Sequence, residues 1–308
     1  MKRTIIDYLL IALKGFGMGS ADVVPGVSGG TIAFITGIYE ELIDSIKSID
    51  LGALKVLRKE GLAAAWKHIN GWFLVAVFGG ILVSVFSLAK LLKYLLEHEP
   101  VLLWSFFLGL ILASAIFVGR QIKNWNAITL LFLVIGTGLA LFIALSSTFT
   151  TPNELWFVFI VAAIAICAMI LPGISGSFIL VIMGQYSYIL NAVDEKDFKV
   201  ILVFMAGAAV GLLSFARLVS FLFKKYRDAT IGLLTGFMIG SLPKVWPWKV
   251  GTPKEIEKGL GDLVLPEEFA VKMGDPQVLY AILLAVAGFV IVLGMERLAP
   301  KSEPNKSA

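Results

Sequence analysis

The fold class that the sequence predicts is an all-α integral membrane protein made of two inverted repeats, each half one re-entrant helical hairpin plus about three transmembrane helices. Three observations predict it. Hydrophobic residues fill 58% of the 308 positions and charged ones only 16%, with a strongly positive mean hydropathy, which a soluble domain could not hide from water. Six apolar stretches are near the length that crosses a hydrocarbon core of about 30 Å at 1.5 Å per residue. Two more apolar regions are each interrupted centrally by a Pro-Gly-x-Ser-Gly string.

In chain order, Met1-Lys2-Arg3 and the apolar run that follows have the look of a signal peptide, but Lys14, Gly15, Gly17 and Gly19 lead directly into the first break. The segment therefore reads as retained. The first broken region, 5–46, carries Pro25-Gly26-Val27-Ser28-Gly29-Gly30, and the second, 155–193, carries Pro172-Gly173-Ile174-Ser175-Gly176-Ser177. Each half of a broken region is too short for a comfortable span. Between the first break and the first continuous stretch, Leu51, Leu54, Leu57, Leu62 and Trp66 recur near helical spacing, with Lys55, Arg58, Lys59 and Lys67 elsewhere. This segment reads as a helix on an anionic membrane surface, the other reading being a solvated linker. The continuous stretches are 72–96, 101–118, 128–145, 200–223, 231–246 and 278–295.

Charge decides between spanning and re-entrant hairpins. With both hairpins re-entrant, Arg3, the basic 47–67 stretch, Arg120 with Lys123, Lys224-Lys225-Tyr226-Arg227 and the tail from Arg297 all fall on one face. Cytoplasmic segments carry such an excess of Lys and Arg, so both termini are placed in the cytoplasm of a cell with a bacterial-type inner membrane. Domain 1–150 is then hairpin 4–46, surface helix 50–69 and three crossings. Domain 151–308 is hairpin 154–193, three crossings and an extracytoplasmic loop 249–276.

The halves are related by sequence. Pro25, Gly26, Ser28, Gly29, Gly37 and Tyr39 match Pro172, Gly173, Ser175, Gly176, Gly184 and Tyr186 at a constant offset of 147, the difference between 172 and 25. Further on, Gly80, Ser87, Lys90, Gly109 and Ser114 match Gly207, Ser214, Arg217, Gly236 and Ser241 at an offset of 127, the difference between 207 and 80. An odd number of crossings per half starts the second half from the opposite face. Inverted repeats with discontinuous helices meeting near the midplane are a recurrent plan for secondary transporters.

Proline ends a helix and the following glycines permit a tight turn, so new helices start near Ser28 and Ser175. Their first amides and positive dipole ends suit an anion, above all a phosphate. The substrate-binding candidates are therefore Ser28, Gly29, Gly30, Thr31, Ser175, Gly176 and Ser177, against the plainer reading that small residues simply let helices pack closely. Lys90 and Arg217 join them as intramembrane cations at equivalent positions, where snorkelling to the interface is the alternative. Asp22, which stands opposite Met169 in the repeat, and Glu40 are candidates for coupling or gating. Asp22 has three readings: a cap on the restarting helix, a partner of Lys14, or a proton carrier. The lone cysteine, Cys167, sits in an apolar run and reads as structural. His68 and His98 lack metal-ligand spacing, and the scattered basic residues exclude nucleic acid. No cofactor or metal is expected.

The string from Ala21 to Thr31, continuing through Gly37-Ile38-Tyr39-Glu40, resembles the signature of the bacterial polyprenyl-phosphate transporter family, and the resemblance covers essentially the whole chain. It implies an activity that returns undecaprenyl phosphate from the outer to the inner leaflet for cell-envelope synthesis. The implied partners are the polyprenyl-phosphate lipid and anionic membrane lipids, with a second copy of the chain as a further candidate. Undecaprenyl-pyrophosphate phosphatases share Pro-Gly-x-Ser motifs on re-entrant helices, but their string continues Ser-Arg-Ser where this chain has Ser28-Gly29-Gly30 and Ser175-Gly176-Ser177. The missing arginine argues against an enzyme. A transporter of small soluble anions stays open as a second alternative.

Overall fold

The computed structural model describes residues 3–298 apart from 25, 26, 147, 150, 253, 254 and 257–260. Pro25 and Gly26 of the first break therefore lie outside the described residues, as does the tail beyond residue 298. The first half runs α1 (Ile5–Asp22), α2 (Gly29–Ile35), α3 (Tyr39–Lys47), α4 (Leu51–Glu60), α5 (Leu62–His68), α6 (Gly71–His98), α7 (Pro100–Gly119) and α8 (Ala127–Leu145). The second runs α9 (Leu155–Ile170), α10 (Gly176–Ile182), α11 (Tyr186–Asp194), α12 (Phe198–Lys225), α13 (Arg227–Ser241), α14 (Pro266–Lys272) and α15 (Val278–Leu298).

Local chemistry sets the helix ends. Thr4 and Asp7 form a capping box that opens α1, satisfying two of its otherwise orphaned first amides. Pro100 and Pro266 stand in the first turns of α7 and α14, where a missing N–H costs nothing. Helices α6, α7, α8 and α12 are long and apolar enough to cross a membrane, and the pair α10 and α11, bent by 106°, makes a fifth span if read as one. The chain is thus a mostly helical, multi-pass membrane protein. Large apolar side chains such as Phe86, Phe142, Leu202 and Leu283 stand exposed on its helices, as lipid-facing positions do.

Three sequence expectations are corrected. The stretch 231–246 is α-helical only to Ser241, because Pro243 turns the chain into the 3-10 segment Leu242–Val245. Surface helix 50–69 is two helices, broken at Gly61, whose φ of 85° lies in the left-handed region that glycine alone adopts cheaply. Loop 249–276 departs from all-α: β1 (Lys249–Val250) pairs antiparallel with β2 (Asp262–Leu263). Around this ribbon Trp248, Val264 and Phe269 cluster with Val101 of α7 and Ala281 of α15.

Packing repeats between the halves. A Cβ at Gly80 of α6 would lie 2.0 Å from the Ala12 carbonyl of α1, and one at Gly207 of α12 would lie 2.2 Å from the Phe159 carbonyl of α9. Ala12 and Phe159 are themselves 147 residues apart, as the two breaks are. The third helices are exchanged: α15 packs on α7 of the first half and α8 on α13 of the second. Gly288 abuts the Phe106 carbonyl while Gly136 abuts the Leu233 carbonyl, and Phe106 and Leu233 differ by the same 127 positions. Backbone-to-backbone contact of this kind is how helices associate where lipid supplies no hydrophobic drive.

Candidate functional site

The two breaks lie directly against each other. Thr31, fully buried, accepts a hydrogen bond on Oγ1 from the Gly173 amide at 3.0 Å. Ser28 shares its hydroxyl proton between the carbonyls of Leu171 at 3.1 Å and Met169 at 3.3 Å. Gly30 lets the backbones approach: a Cβ there would stand 2.6 Å from the Ile170 carbonyl. Gly173 turns with φ 88° and lies against the end of α13, near the Phe237 carbonyl and Ser241 Oγ. Polar groups loosened by the broken helices are thus answered by the opposite break, as groups away from water require.

The helix starts differ in how they are satisfied. At α2, the Gly29 amide donates to Asp22 Oδ1 at 2.7 Å, the Gly30 amide to Ser28 Oγ at 3.1 Å, and the Thr31 amide to the Ser28 carbonyl at 3.0 Å. Lys14, also on α1, donates instead to the Thr36 carbonyl at the other end of α2, at 2.8 Å. Carboxylate at the amino end and ammonium at the carboxyl end complement the dipole of α2 from the neighbouring helix. Of the three readings of Asp22, the cap is the one seen, and Lys14 is engaged elsewhere. At α10, Ser175 makes no side-chain cap. Its hydroxyl lies 2.8 Å from that of Ser177, and Met169 stands where the first half has Asp22. At the start of α2 the Gly29 amide is thus answered by a carboxylate from α1, whereas at the start of α10 Ser175 gives no side-chain cap.

The remaining candidates sit apart from the breaks. Lys90 is exposed on α6, eight positions before the helix ends at His98. Arg217 is exposed on α12, eight before its end at Lys225, and bonds the Leu213 carbonyl of its own helix at 3.2 Å. Glu40 pairs with Arg227 at 2.6 Å within a belt that ties α3 to the rest of the molecule. Glu41 takes a bidentate contact from Arg3 and another from Asn70, while Asp44 meets Ser220 at 2.6 Å and Lys224 at 3.8 Å. Among the described residues, no group of three or more His, Cys, Asp or Glu is placed to hold a metal.

Sequence reasoning missed two buried cations. Lys244, in the turn after α13, is 5% exposed and holds its ammonium 3.6 Å from the ring centre of Phe178, the third residue of α10. Lys249, 1% exposed, donates to the Lys244 carbonyl and lies 4.1 Å from the Trp104 ring centre. Burial, reinforced by the Lys244 ammonium, lowers the Lys249 ammonium well below its ordinary pKa. The rule that picked out Lys90 and Arg217 also applies to Lys244, a cation inside an apolar stretch. Its repeat equivalent is Phe117, so the duplication gave no signal.

A protein of Vibrio cholerae serotype O1 described as a polyprenyl-phosphate transporter is 46% identical over 98% of this chain and 100% of its own length. One of Staphylococcus aureus with the same description is 28% identical over 82% of this chain and 90% of its own. No solved structure matches. The model of the VCA0040-like, undecaprenyl phosphate translocase-like proteins matches residues 18–259, and with that span and the near full-length identity to the Vibrio protein, the chain belongs to this family.

Proposed function

We propose that the protein carries undecaprenyl phosphate from the outer to the inner leaflet of the bacterial cytoplasmic membrane, for reuse in cell-envelope synthesis. Under this reading the halves are inverted repeats, 1–150 and 151–308. Their hairpins are re-entrant from opposite faces, and both termini are cytoplasmic. The observation that carries it is the direct contact of the two breaks through Thr31, Ser28 and Gly173. Non-helical backbone at membrane depth is tolerated beside a protein-lined or water-lined cavity, where transporters place their substrates.

The asymmetry of the two helix starts gives the breaks different roles. The lipid phosphate is received at Ser175, Gly176 and Ser177, the start without a cap, while Asp22 holds Gly29, Gly30 and Thr31 as an internal anion. As the breaks part, phosphate competes with Asp22 for the α2 amides, which couples the carboxylate to transport. Lys90 and Arg217, at mirrored depths from their helix ends, contact the phosphate as it leaves or joins each leaflet. The belt of Glu40, Glu41 and Asp44 closes the cytoplasmic face when the breaks are together.

The test is reconstitution in liposomes with labelled undecaprenyl phosphate and leaflet-specific readout. The expected result is movement well above that of empty vesicles. An absence of movement, together with phosphate release from undecaprenyl pyrophosphate, would replace the transporter with the phosphatase.

A further inference from the structure

A groove of about 800 Å³ opens where α5 meets the start of α6, lined by Tyr8 of α1, by Leu62, Trp66 and Lys67 of α5, and by Asn70 and Trp72, a size usual for ligand sites. Trp72 is 63% exposed in the first turn of α6, a helix long and apolar enough to cross the membrane, and Leu62 is 72% exposed. Tryptophans at the ends of crossing helices sit at the headgroup level of the bilayer, so the groove opens at that level.

The two indoles meet edge to face, with ring centres 5.7 Å apart. Trp66 lies against Gly71, where a Cβ would stand 2.4 Å from the ring, and its shielded Nε1 has no hydrogen-bond partner among the described residues. A donor stranded in this way costs free energy that an arriving acceptor would return. Lys67 is exposed and forms no ion pair among the described residues. Asp7, next to Tyr8, is engaged by Thr4, and Glu41, which the Asn70 amide contacts at 2.8 Å, is held by Arg3 through both oxygens. Neither carboxylate competes for Lys67.

We infer that this groove holds one anionic phospholipid, its phosphodiester on Lys67 with the Trp66 indole turned to donate to it, and its acyl chain along Leu62 and Trp72. One ammonium matches the single charge of a phosphodiester better than the nearly double charge of a phosphomonoester such as the carried lipid. The site stands apart from the meeting point of the breaks and does not depend on transport. Through Asn70, which also donates to Ser45 at 3.1 Å, an occupied groove is joined to the belt on α3.

The test is native mass spectrometry of the purified full chain in detergent, titrated separately with phosphatidylglycerol, phosphatidylethanolamine of the same chains, and undecaprenyl phosphate. Melting temperature is recorded for each variant. The first phosphatidylglycerol is expected to bind about fivefold or more tighter than phosphatidylethanolamine, the attraction of one ammonium for an anionic lipid. Lys67→Gln, a surface change, abolishes that preference at unchanged melting temperature. Trp66→Phe keeps the ring and weakens phosphatidylglycerol binding about threefold, while Lys59→Gln, on α4 outside the groove, stays within about twofold of wild type. Equal affinities for the two phospholipids in wild type, or a preference kept in Lys67→Gln, overturn the site. A loss as large in Lys59→Gln as in Lys67→Gln replaces it with diffuse surface charge. Undecaprenyl phosphate binding that Lys67→Gln weakens as much as it weakens phosphatidylglycerol binding overturns the assignment to a phosphodiester and gives the groove to the carried lipid. A chain that shows the Lys67-dependent preference but binds no undecaprenyl phosphate removes the transport reading and leaves the groove standing.

Discussion

At the scale of single residues, the contact between the breaks rests on a few short, buried side chains. Thr31→Val keeps the shape but leaves the Gly173 amide without an acceptor, and a buried donor so stranded costs about 1–3 kcal/mol. The expected outcome is a lower melting temperature in detergent and slower transport. Unchanged stability would mean that water or movement already satisfies that amide. Asp22 separates capping from charge: Asp22→Asn can still accept from the Gly29 amide, whereas Asp22→Ala removes a cap worth about 1 kcal/mol. If the carboxylate competes with substrate, Asp22→Asn keeps the stability of wild type but alters the transport rate in liposomes. An unaltered rate leaves Asp22 as a cap only. The sequence marked Ser28 and Gly173 through the repeated motif and Thr31 as a hydroxyl at the restarting helix, but the partners of Ser28 and Thr31 are backbone carbonyls and an amide of the other break. No side-chain pattern announces such partners. Lys244 was hidden for a related reason, since the repeat sets Phe117 opposite it.

At the scale of elements, the long apolar helices and the interruptions of α1 to α2 and α9 to α10 were legible from hydropathy and from proline and glycine. Their exact ends were not, because Gly61 and Pro243 act through backbone geometry that hydropathy does not weigh. The exchange of α8 and α15 between halves was also invisible, since hydropathy does not say which helix a glycine face meets. The belt on α3 yields a prediction about motion. Its ion pair between Glu40 and Arg227 is about half exposed, so removing it changes stability by less than about 1 kcal/mol. A disulfide between cysteines placed at 40 and 227, in a chain with Cys167 replaced, is expected to stop transport, and reduction to restore it. Transport undisturbed by the cross-link would show that Glu40 of α3 stays beside Arg227 throughout the cycle.

Helix α4 adds a pH dependence with a defined sign. The Ala53 amide, donating to Asp50 at 2.9 Å, is the main cause that holds this carboxyl below its ordinary pKa, with help from the Gly52 amide and the charges of His68 and Arg217. A lowered folded pKa means that the charged cap stabilises α4 at and above the ordinary aspartate range and is lost as pH falls through the lowered value. A spin label at position 55 is expected to gain mobility over that acid window. Asp50→Asn should flatten the response, and an identical response in both proteins would remove Asp50 as its source.

At the scale of the molecule, the duplicated packing is what a transporter with two exchangeable conformations requires. Gly80 and Gly207, 127 positions apart, meet backbones 147 apart, Gly136 and Gly288 meet backbones 127 apart, and α8 and α15 each pack on a helix from the other part of the chain. Under the proposed transport, small conformational differences between the halves are traded, opening one face as the other closes. In the proposed transport the lipid phosphate travels through the meeting point of the breaks, received first at the uncapped start of α10. An experimental structure of the protein in nanodiscs containing undecaprenyl phosphate tests it most directly. Headgroup density is expected within hydrogen-bonding distance of Ser175 and Ser177, with Thr31 drawn away from the Gly173 amide. Headgroup density only on the outer surface of the helices, with Thr31 still bonded to Gly173, would contradict it.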